Sequence, residues 1–355
     1  MDISNSQYNQ YSLVCEMFDS LKLITKFDFN KTFEMARIIL QCGKVLLTGE
    51  GSSRIFPAKN FIYQLRKSSL NDKLNVITEG CEQSLEYDLF DWCVVVSSNS
   101  GQTGEAVRLY QKLRQRNHRQ NFAITAAKNS LIGDLAKETF VLSCGAEKAV
   151  AATKSVIEQA LTYISVLHNM KKFVPINPRF SNADIDNDDL ELQRQKLPEL
   201  GKKILDDNYN TNLITQISNA STLYFAGRNN GAAEELALKA TEITRKRSIY
   251  LEGTFLLHGV EEVMSENDVV VWVEPFEQEC KKIDELFVKK HKIPVIAISS
   301  FATPFPTIEI PSLNGYDQFL QIFAGWNLLV QAALQLGVNP DKPTRARKIG
   351  NEFEH

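Results

Sequence analysis

Short apolar runs ending in glycine or serine alternate along this chain with longer stretches whose apolar residues recur every three to four positions. The run "KVLLTGEGSS" (44–53) leads into "IFPAKNFIYQLRK". The runs "LNVITEG", "WCVVVSSNSG" and "QNFAITAA" follow, interleaved with helix-like segments at 84–89, 103–117 and 128–137, while residues 10–42 ahead of them also read as helical. Apolar runs bounded by turn formers predict buried strands, and the periodic stretches predict helices. Their alternation predicts a parallel sheet covered on both faces.

Further on, "KAVAATKSVIEQALTYISVLHNM" (148–170) predicts one long helix. "KKFVPINPRFSNADIDNDD" (171–189) holds two prolines among Asn, Asp and Ser and reads as the linker region. A polar helix over 190–208 then opens a second half laid out like the first. "STLYFAGRNNGAAEELALK", "DVVVWVEPF" and "IPVIAISS" parallel the runs around Gly49, Val94 and Ile124 at offsets of 178, 175 and 172 residues. Three runs in register point to an internal duplication. The expected fold class is α/β, with two doubly wound five-stranded parallel sheets in tandem. The expected divisions are an N-terminal domain over 1–175, a linker over 176–200, a C-terminal domain over 201–340 and a tail over 341–355.

Composition narrows the partners. Forty Lys and Arg against forty-three Asp and Glu leave a net charge of −3, with 43% hydrophobic and 23% charged residues. That balance offers no electrostatic footprint for nucleic acid, and no basic run suggests a membrane surface. No segment reaches the ~20 apolar residues of a membrane-spanning helix, and "MDISNSQYNQ" is unlike a signal peptide. Six scattered cysteines without a C-x-x-C pair suggest reduced thiols in a cytoplasmic protein. Five dispersed histidines give no metal-ligand spacing, so neither a metal nor a cofactor is expected.

The chemistry concentrates in "SSNSGQT" (97–103), directly after Val94-Val95-Val96. A turn needs one or two hydroxyl or amide residues, and this loop has six around Gly101. A helix starting near Thr103 would add N–H groups and a partial positive charge. Together with "GEGSS" (49–53), the loop forms a candidate phosphate cradle that uses no lysine. Either loop alone reads equally well as a capped turn; two of them after strands of one sheet favour a ligand site. The corresponding stretch of the second half, "EPFEQEC", is acidic and unsuited to phosphate. In "EELALKATEITRK", Glu235, Lys239 and Glu242 share a helix face, an arrangement that more often marks a solvated surface. Cys93 and Cys144 read as small buried apolar residues.

With these motifs together, the sequence resembles the sugar isomerase (SIS) domain family in its double-domain form, over roughly residues 30–350. It is similar to the isomerase half of glucosamine-6-phosphate synthase and to stand-alone phosphosugar isomerases, deaminases and deglycases. "SSNSGQT" matches the family's S-x-S-G-x-T loop, and Gly51, Ser52 and Ser53 match its G-T-S loop. "EKAVAATKS" matches E-x-x-V-A-S-T-K, with Ala152 in place of the serine. The resemblance implies that Ser52, Ser53, Ser98, Asn99, Ser100 and Thr103 bind the substrate phosphate, with Gly51, Val150 and Ala151 as further substrate contacts. Its A-L-K-x-x-E motif falls on Lys239 and Glu242 and implies that Glu242 moves the proton between sugar carbons. His258, 16 residues on, matches the histidine of H-G-P with Val260 for the proline; in the family it assists ring opening from the partner subunit. Lys348 matches the lysine of the D-x-P-R-x-L-x-K tail, with Thr344 for the arginine.

The implied function is a phosphosugar isomerase acting on a 6-phosphorylated ketose or amino sugar of the fructose 6-phosphate and glucosamine 6-phosphate class, with or without deamination. The implied assembly is a homodimer with a shared active site. The start Met1-Asp2 lacks the cysteine nucleophile of an amidotransferase, so the glutamine-dependent reaction is not expected. A fructosamine or glucoselysine 6-phosphate deglycase is the alternative; Phe255, before the histidine, leans toward the stand-alone deaminase and deglycase relatives rather than the synthase. A catalytically inactive sugar-phosphate sensor is the other.

Overall fold

A computed structural model describes residues 1–174 and 190–354. Most of the expected linker, 176–189, lies outside the described residues. The chain divides into two compact units. One comprises Lys22–Lys148, Ala152–Gln195 and Arg345–His355; the other comprises Met1–Leu21, Ala149–Ala151 and Lys196–Thr344.

The first unit is built on β1 (Lys44–Gly49), β2 (Asn75–Gly80), β3 (Cys93–Ser97), β4 (Asn121–Thr125) and β5 (Glu138–Val141), all parallel, in the order β2-β1-β3-β4-β5. Val45–Leu47, Cys93–Val96 and Phe122–Ile124 are buried, as expected of strands covered on both faces. The second unit repeats the plan with β6 (Thr222–Gly227), β7 (Arg247–Glu252), β8 (Val269–Val273), β9 (Val295–Ser299) and β10 (Thr307–Glu309). Read from its β7 edge, the order is β7-β6-β8-β9-β10, again parallel throughout. The two sheets therefore share one strand order. In each, the crevice where ligands bind such sheets falls between the first and third strands.

Glycine closes that crevice the same way twice. A Cβ on Gly49 would stand 2.6 Å from the Ser97 carbonyl oxygen, and one on Gly227 would stand 2.9 Å from that of Val273. Only a residue without a side chain lets the neighbouring strand end approach so closely.

Several helices are shorter than their periodicity predicts. The 148–170 stretch becomes helical only at Lys154–Lys171, because the Glu147 side chain accepts the N–H groups of Thr153 (2.8 Å) and Ser155 (3.2 Å) and so fixes where the helix begins. Residues 10–42 split into Ser12–Lys26 and Phe33–Cys42. Asp28 interrupts them by accepting the Asn30 N–H at 2.9 Å. Segment 84–89 is turn rather than helix, following the single turn Cys81–Ser84, and 128–137 narrows to Leu131–Leu135. The polar 190–208 stretch breaks into Leu190–Arg194 and Leu197–Asp206, the second with proline in its first turn.

Candidate functional site

At the C-terminal end of β3 the chain turns sharply through Ser98–Thr103. Gly101 takes φ +65°, and a Cβ there would lie 2.4 Å from Ser130 Cβ. The loop is thus pressed onto the start of helix Leu131–Leu135, and Ile132 N–H donates to the Gly101 carbonyl at 3.1 Å. Ser98, buried, accepts the Gly101 N–H on Oγ at 3.1 Å and shares a 2.9 Å hydrogen bond with the Thr103 hydroxyl. The Ser100 hydroxyl accepts the Gln102 N–H at 3.2 Å. Among the described hydrogen bonds, the N–H groups of Asn99, Ser100 and Thr103 donate to nothing in the protein. Three unpaired backbone donors beside hydroxyls, at a helix start, suit an oxyanion.

On the β1 side, Gly51–Ser53 forms a single helical turn with Gly51 at φ +53° and Ser52 buried. Glu50, whose charge would oppose an anion, is engaged toward β2, where Oε1 accepts the Cys81 N–H at 2.8 Å.

The C-terminal segment joins the same unit. Gly104, the first residue of helix Gly104–Gln115, donates its N–H to the Asn351 carbonyl at 2.8 Å, and Phe353 N–H donates to the Gln102 carbonyl at 2.9 Å. Thr103 and Glu352 pair in an antiparallel bridge. The expected cap therefore takes another form. Thr103 is the helix N-cap, but its side chain makes no capping bond; its hydroxyl serves Ser98 instead, and the tail satisfies Gly104.

Glu147 connects these parts, and sequence reasoning did not single it out. Its carboxylate is fully buried. It accepts from Asn99 Nδ2 (3.2 Å), Ser155 Oγ (2.7 Å) and the two N–H groups that start helix Lys154–Lys171, and it pairs with Lys348 Nζ at 3.4 Å. Burial alone would raise its pKa, but the Lys348 ammonium and the Thr153 and Ser155 donors hold it below the ordinary carboxylate value. The signal was available: Glu147 heads the quoted "EKAVAATKS", six residues before Thr153.

In the second unit, helix Ala232–Thr244 carries Glu235, Lys239 and Glu242 along one face. Gly325 of helix Asp317–Gln335 faces Leu236 with no room for a side chain, a Cβ there meeting the Leu236 methyls at under 2.5 Å. The helix is thereby held close to its neighbour. Lys239 is fully buried, with Glu235 Oε1 at 3.2 Å and Glu242 Oε2 at 2.6 Å; Glu235 is equally buried, whereas Glu242 is 25% exposed. Burial would lower the Lys239 pKa, but the two carboxylates carry it above the usual lysine range, so the ammonium stays charged. The charges expected on a shared face are thus a buried triad with one end open.

His258 ends the helical turn Phe255–Leu257 and is exposed, as is Phe255. No described side-chain hydrogen bond links it to Glu242 or Lys239. Val150 and Ala151 also belong to this second unit, Ala151 buried. The predicted residues therefore fall into two sets. Gly51, Ser52, Ser53, Ser98, Asn99, Ser100, Thr103 and Lys348 lie in the first unit; Val150, Ala151, Lys239, Glu242 and His258 lie in the second.

The mouth of the second sheet differs as its acidity predicts. Glu274, at φ +48°, accepts the Ser300 hydroxyl (2.6 Å) and N–H (3.1 Å), and Arg228 lies 4.3 Å over the Phe276 ring. The protein's own carboxylate takes the donors there. All six cysteines are free thiols, and burial pushes the Cys81 thiol up to about 12. Among the described residues, no His, Cys, Asp and Glu side chains group as a metal site, and no helix is long and apolar enough to cross a membrane.

Two parallel five-stranded sheets of one order, the first with donors waiting at its mouth, define an α/β protein with the tandem sugar-isomerase (SIS) fold. No protein-family model matches the chain. Its sequence is 25% identical over 328 residues to the glutamine–fructose-6-phosphate aminotransferase of Methanococcus maripaludis, covering 87% of this chain and 51% of that protein. The chain spans about half the length of the curated relatives it matches. Among solved structures, its fold is similar to the C-terminal domain of glucosamine-fructose-6-phosphate aminotransferase from Francisella tularensis (TM-score 0.75, 16% identity, 94% of this chain and 98% of that one). It is likewise similar to glucosamine-6-phosphate deaminase from Thermotoga maritima (TM-score 0.72, 20% identity, 97% and 99%).

Proposed function

We propose that the protein is a phosphosugar isomerase acting on a 6-phosphorylated ketose or amino sugar, with proton transfer by Glu242. The observation that carries this reading is the loop after β3, with free N–H groups on Asn99, Ser100 and Thr103. A phosphate dianion would accept from these donors and from the hydroxyls of Ser52, Ser53, Ser98, Ser100 and Thr103, while Gly51, Val150 and Ala151 contact the sugar.

Isomerisation then needs one base. Glu242 removes the proton from the carbon beside the carbonyl as the carbonyl oxygen gains one, giving an enediol, or an enolamine when nitrogen is present. After exchange with solvent it returns a proton to the adjacent carbon as the second oxygen loses its own and the new carbonyl forms. Lys239 holds the Glu242 carboxylate in place, His258 assists ring opening from the neighbouring copy of a homodimer, and Lys348 covers the open sugar. Glu147 positions Lys348 and Asn99.

The test is incubation with fructose 6-phosphate, glucosamine 6-phosphate and fructoselysine 6-phosphate in deuterium oxide, followed by mass spectrometry. A new aldose or ketose phosphate carrying deuterium beside the carbonyl supports the reading, with ammonia release marking a deaminase. Lysine release would assign a deglycase instead. Binding of all three without conversion would leave a sensor.

A further inference from the structure

Away from the loops discussed so far, the first unit encloses a cavity of about 240 Å³. One wall is a single face of helix Gly104–Gln115 and its C-terminal extension, because Leu109, Lys112, Leu113 and Arg116 recur at helical spacing. The opposite wall is the turn segment bearing Tyr87, Leu89 and Phe90.

That segment is fixed in place. His118, 5% exposed, hydrogen-bonds through Nε2 to the Leu89 carbonyl at 2.9 Å and through Nδ1 to Asn121 Nδ2 at 3.3 Å, tying the wall to β4. An amide donor on Nδ1 places the proton on Nε2, and burial lowers the imidazole pKa, so the ring stays neutral. Phe90 N–H donates to Asp88 Oδ1 at 3.2 Å and Trp92 N–H to the Leu89 carbonyl at 3.0 Å. Phe90 is nevertheless 81% exposed at the rim. A large aromatic held in water on a pinned loop, beside an apolar hollow, is a surface awaiting cover.

Charge says what kind of cover. Between Glu105 and Asp134 the chain has six Lys and Arg residues and no Asp or Glu, within a protein of net charge −3. Arg108 is paired with Glu82, and the Lys112 ammonium donates to the Leu85 carbonyl. Among the described residues, Arg116 has no carboxylate partner. The carboxylate of the lining, Asp88, is already accepting the Phe90 N–H.

We propose that this cavity binds a small amphiphilic anion, with an aromatic or branched-alkyl body and one carboxylate, sulfonate or phosphate group. The body enters between Leu109, Leu113 and Tyr87 with Phe90 against it, and the anion meets the Arg116 guanidinium. This site does not depend on the proposed isomerase activity.

The probe is anilinonaphthalenesulfonate, an aryl body with one sulfonate, titrated into the full chain by fluorescence. Saturable one-to-one binding is expected. Arg116→Glu should weaken it at least about tenfold, since a charge-assisted contact becomes a repulsion. Phe90→Ser, an exposed change that spares the fold, should weaken it about fivefold through lost apolar contact. Arg114→Glu makes the same charge change at an exposed residue outside the lining and should shift affinity less than about twofold. The uncharged phenylnaphthylamine should bind alike to the parent chain and Arg116→Glu. Equal loss in Arg114→Glu and Arg116→Glu, or undiminished binding to both Arg116→Glu and Phe90→Ser, would overturn the site. Displacement of the dye by an acidic phenylalanine-containing peptide, but not by phenylphosphate or phenylacetate, would overturn the small-molecule assignment in favour of a protein partner.

Discussion

Glu242 ends a row of three charges, of which Glu235 and Lys239 never meet water. A surface ion pair of this kind would contribute little, because water competes for each charge. Here Lys239 is buried between two carboxylates, so the side chain of Glu242 is held in one position while its edge stays open. That geometry suits a base which must take a proton and give it back to the next atom. Glu242→Gln keeps the shape and the hydrogen bond to Lys239 but removes the basicity. Its kcat should fall by about 10²–10⁴-fold with KM changed little. A variant that lost substrate binding as completely as turnover would assign Glu242 to binding instead. Glu147 makes a different residue-scale case, because its five contacts join three separate segments. Glu147→Gln keeps an acceptor for Thr153 and Ser155 but loses the charge facing Lys348. The expected outcome is a loss of about 1–3 kcal/mol in stability and faster proteolysis after Arg345 or Arg347, while Lys348→Met, which leaves the buried Glu147 carboxylate without its cation, gives the same proteolysis and a stability loss at least as large. Unchanged cleavage of the tail in both variants would show that the pair does not hold it.

At the scale of elements, strands were easier to read than helix ends. The runs around Val45, Val94 and Ile124 announce themselves because a strand covered on both faces must be apolar throughout. By contrast β5 and β10, at the sheet edges, carry Glu138, Thr139, Thr307 and Glu309, and half-exposed polar strands leave no such run. Helix starts depend on side chains that reach back from outside the helix, as Glu147 does, and no periodicity records that reach. The loop after β3 was legible as chemistry because its composition exceeds what a turn requires; its dependence on Ser130 was not, since the contact joins residues 29 positions apart. Gly101→Ala tests that dependence. A methyl group would have to fit 2.4 Å from Ser130 Cβ on a backbone at φ +65°, which should destabilise the protein by about 1–3 kcal/mol in urea unfolding. It should also raise KM for a 6-phosphorylated sugar, because the free N–H groups of Asn99 and Ser100 shift with it. A Gly101→Ala protein as stable as the parent would mean the loop relaxes freely and is not pre-formed.

Across the whole molecule acids and bases nearly cancel, so sensitivity to pH is set by which charges are buried rather than by their sum. Two buried groups act in opposite senses. Glu147 titrates below its ordinary value of 4.5: burial works against this, but the Lys348 ammonium and the Thr153 and Ser155 donors prevail. Its contribution to stability is therefore complete above about pH 5 and is lost as the pH falls through the lowered folded value, where the unfolded chain already holds the proton. Lys239 titrates above its ordinary 10.5 despite burial, because Glu235 and Glu242 flank it. Its contribution is complete below that pH and is lost only as the pH rises through the folded value. Between about pH 5 and pH 10 both are present; on the acid side the buried neutral His118 already costs stability as the pH falls through 6.5, and the loss of Glu147 follows below about pH 5. Urea unfolding of the parent chain and Glu147→Gln from pH 7 downward checks this: their free-energy difference should shrink steadily below about pH 4.5 as the parent loses the charge that the variant never had. A difference that stayed constant to pH 3 would mean that the ionised carboxylate contributes nothing beyond the hydrogen bonds a glutamine can also accept.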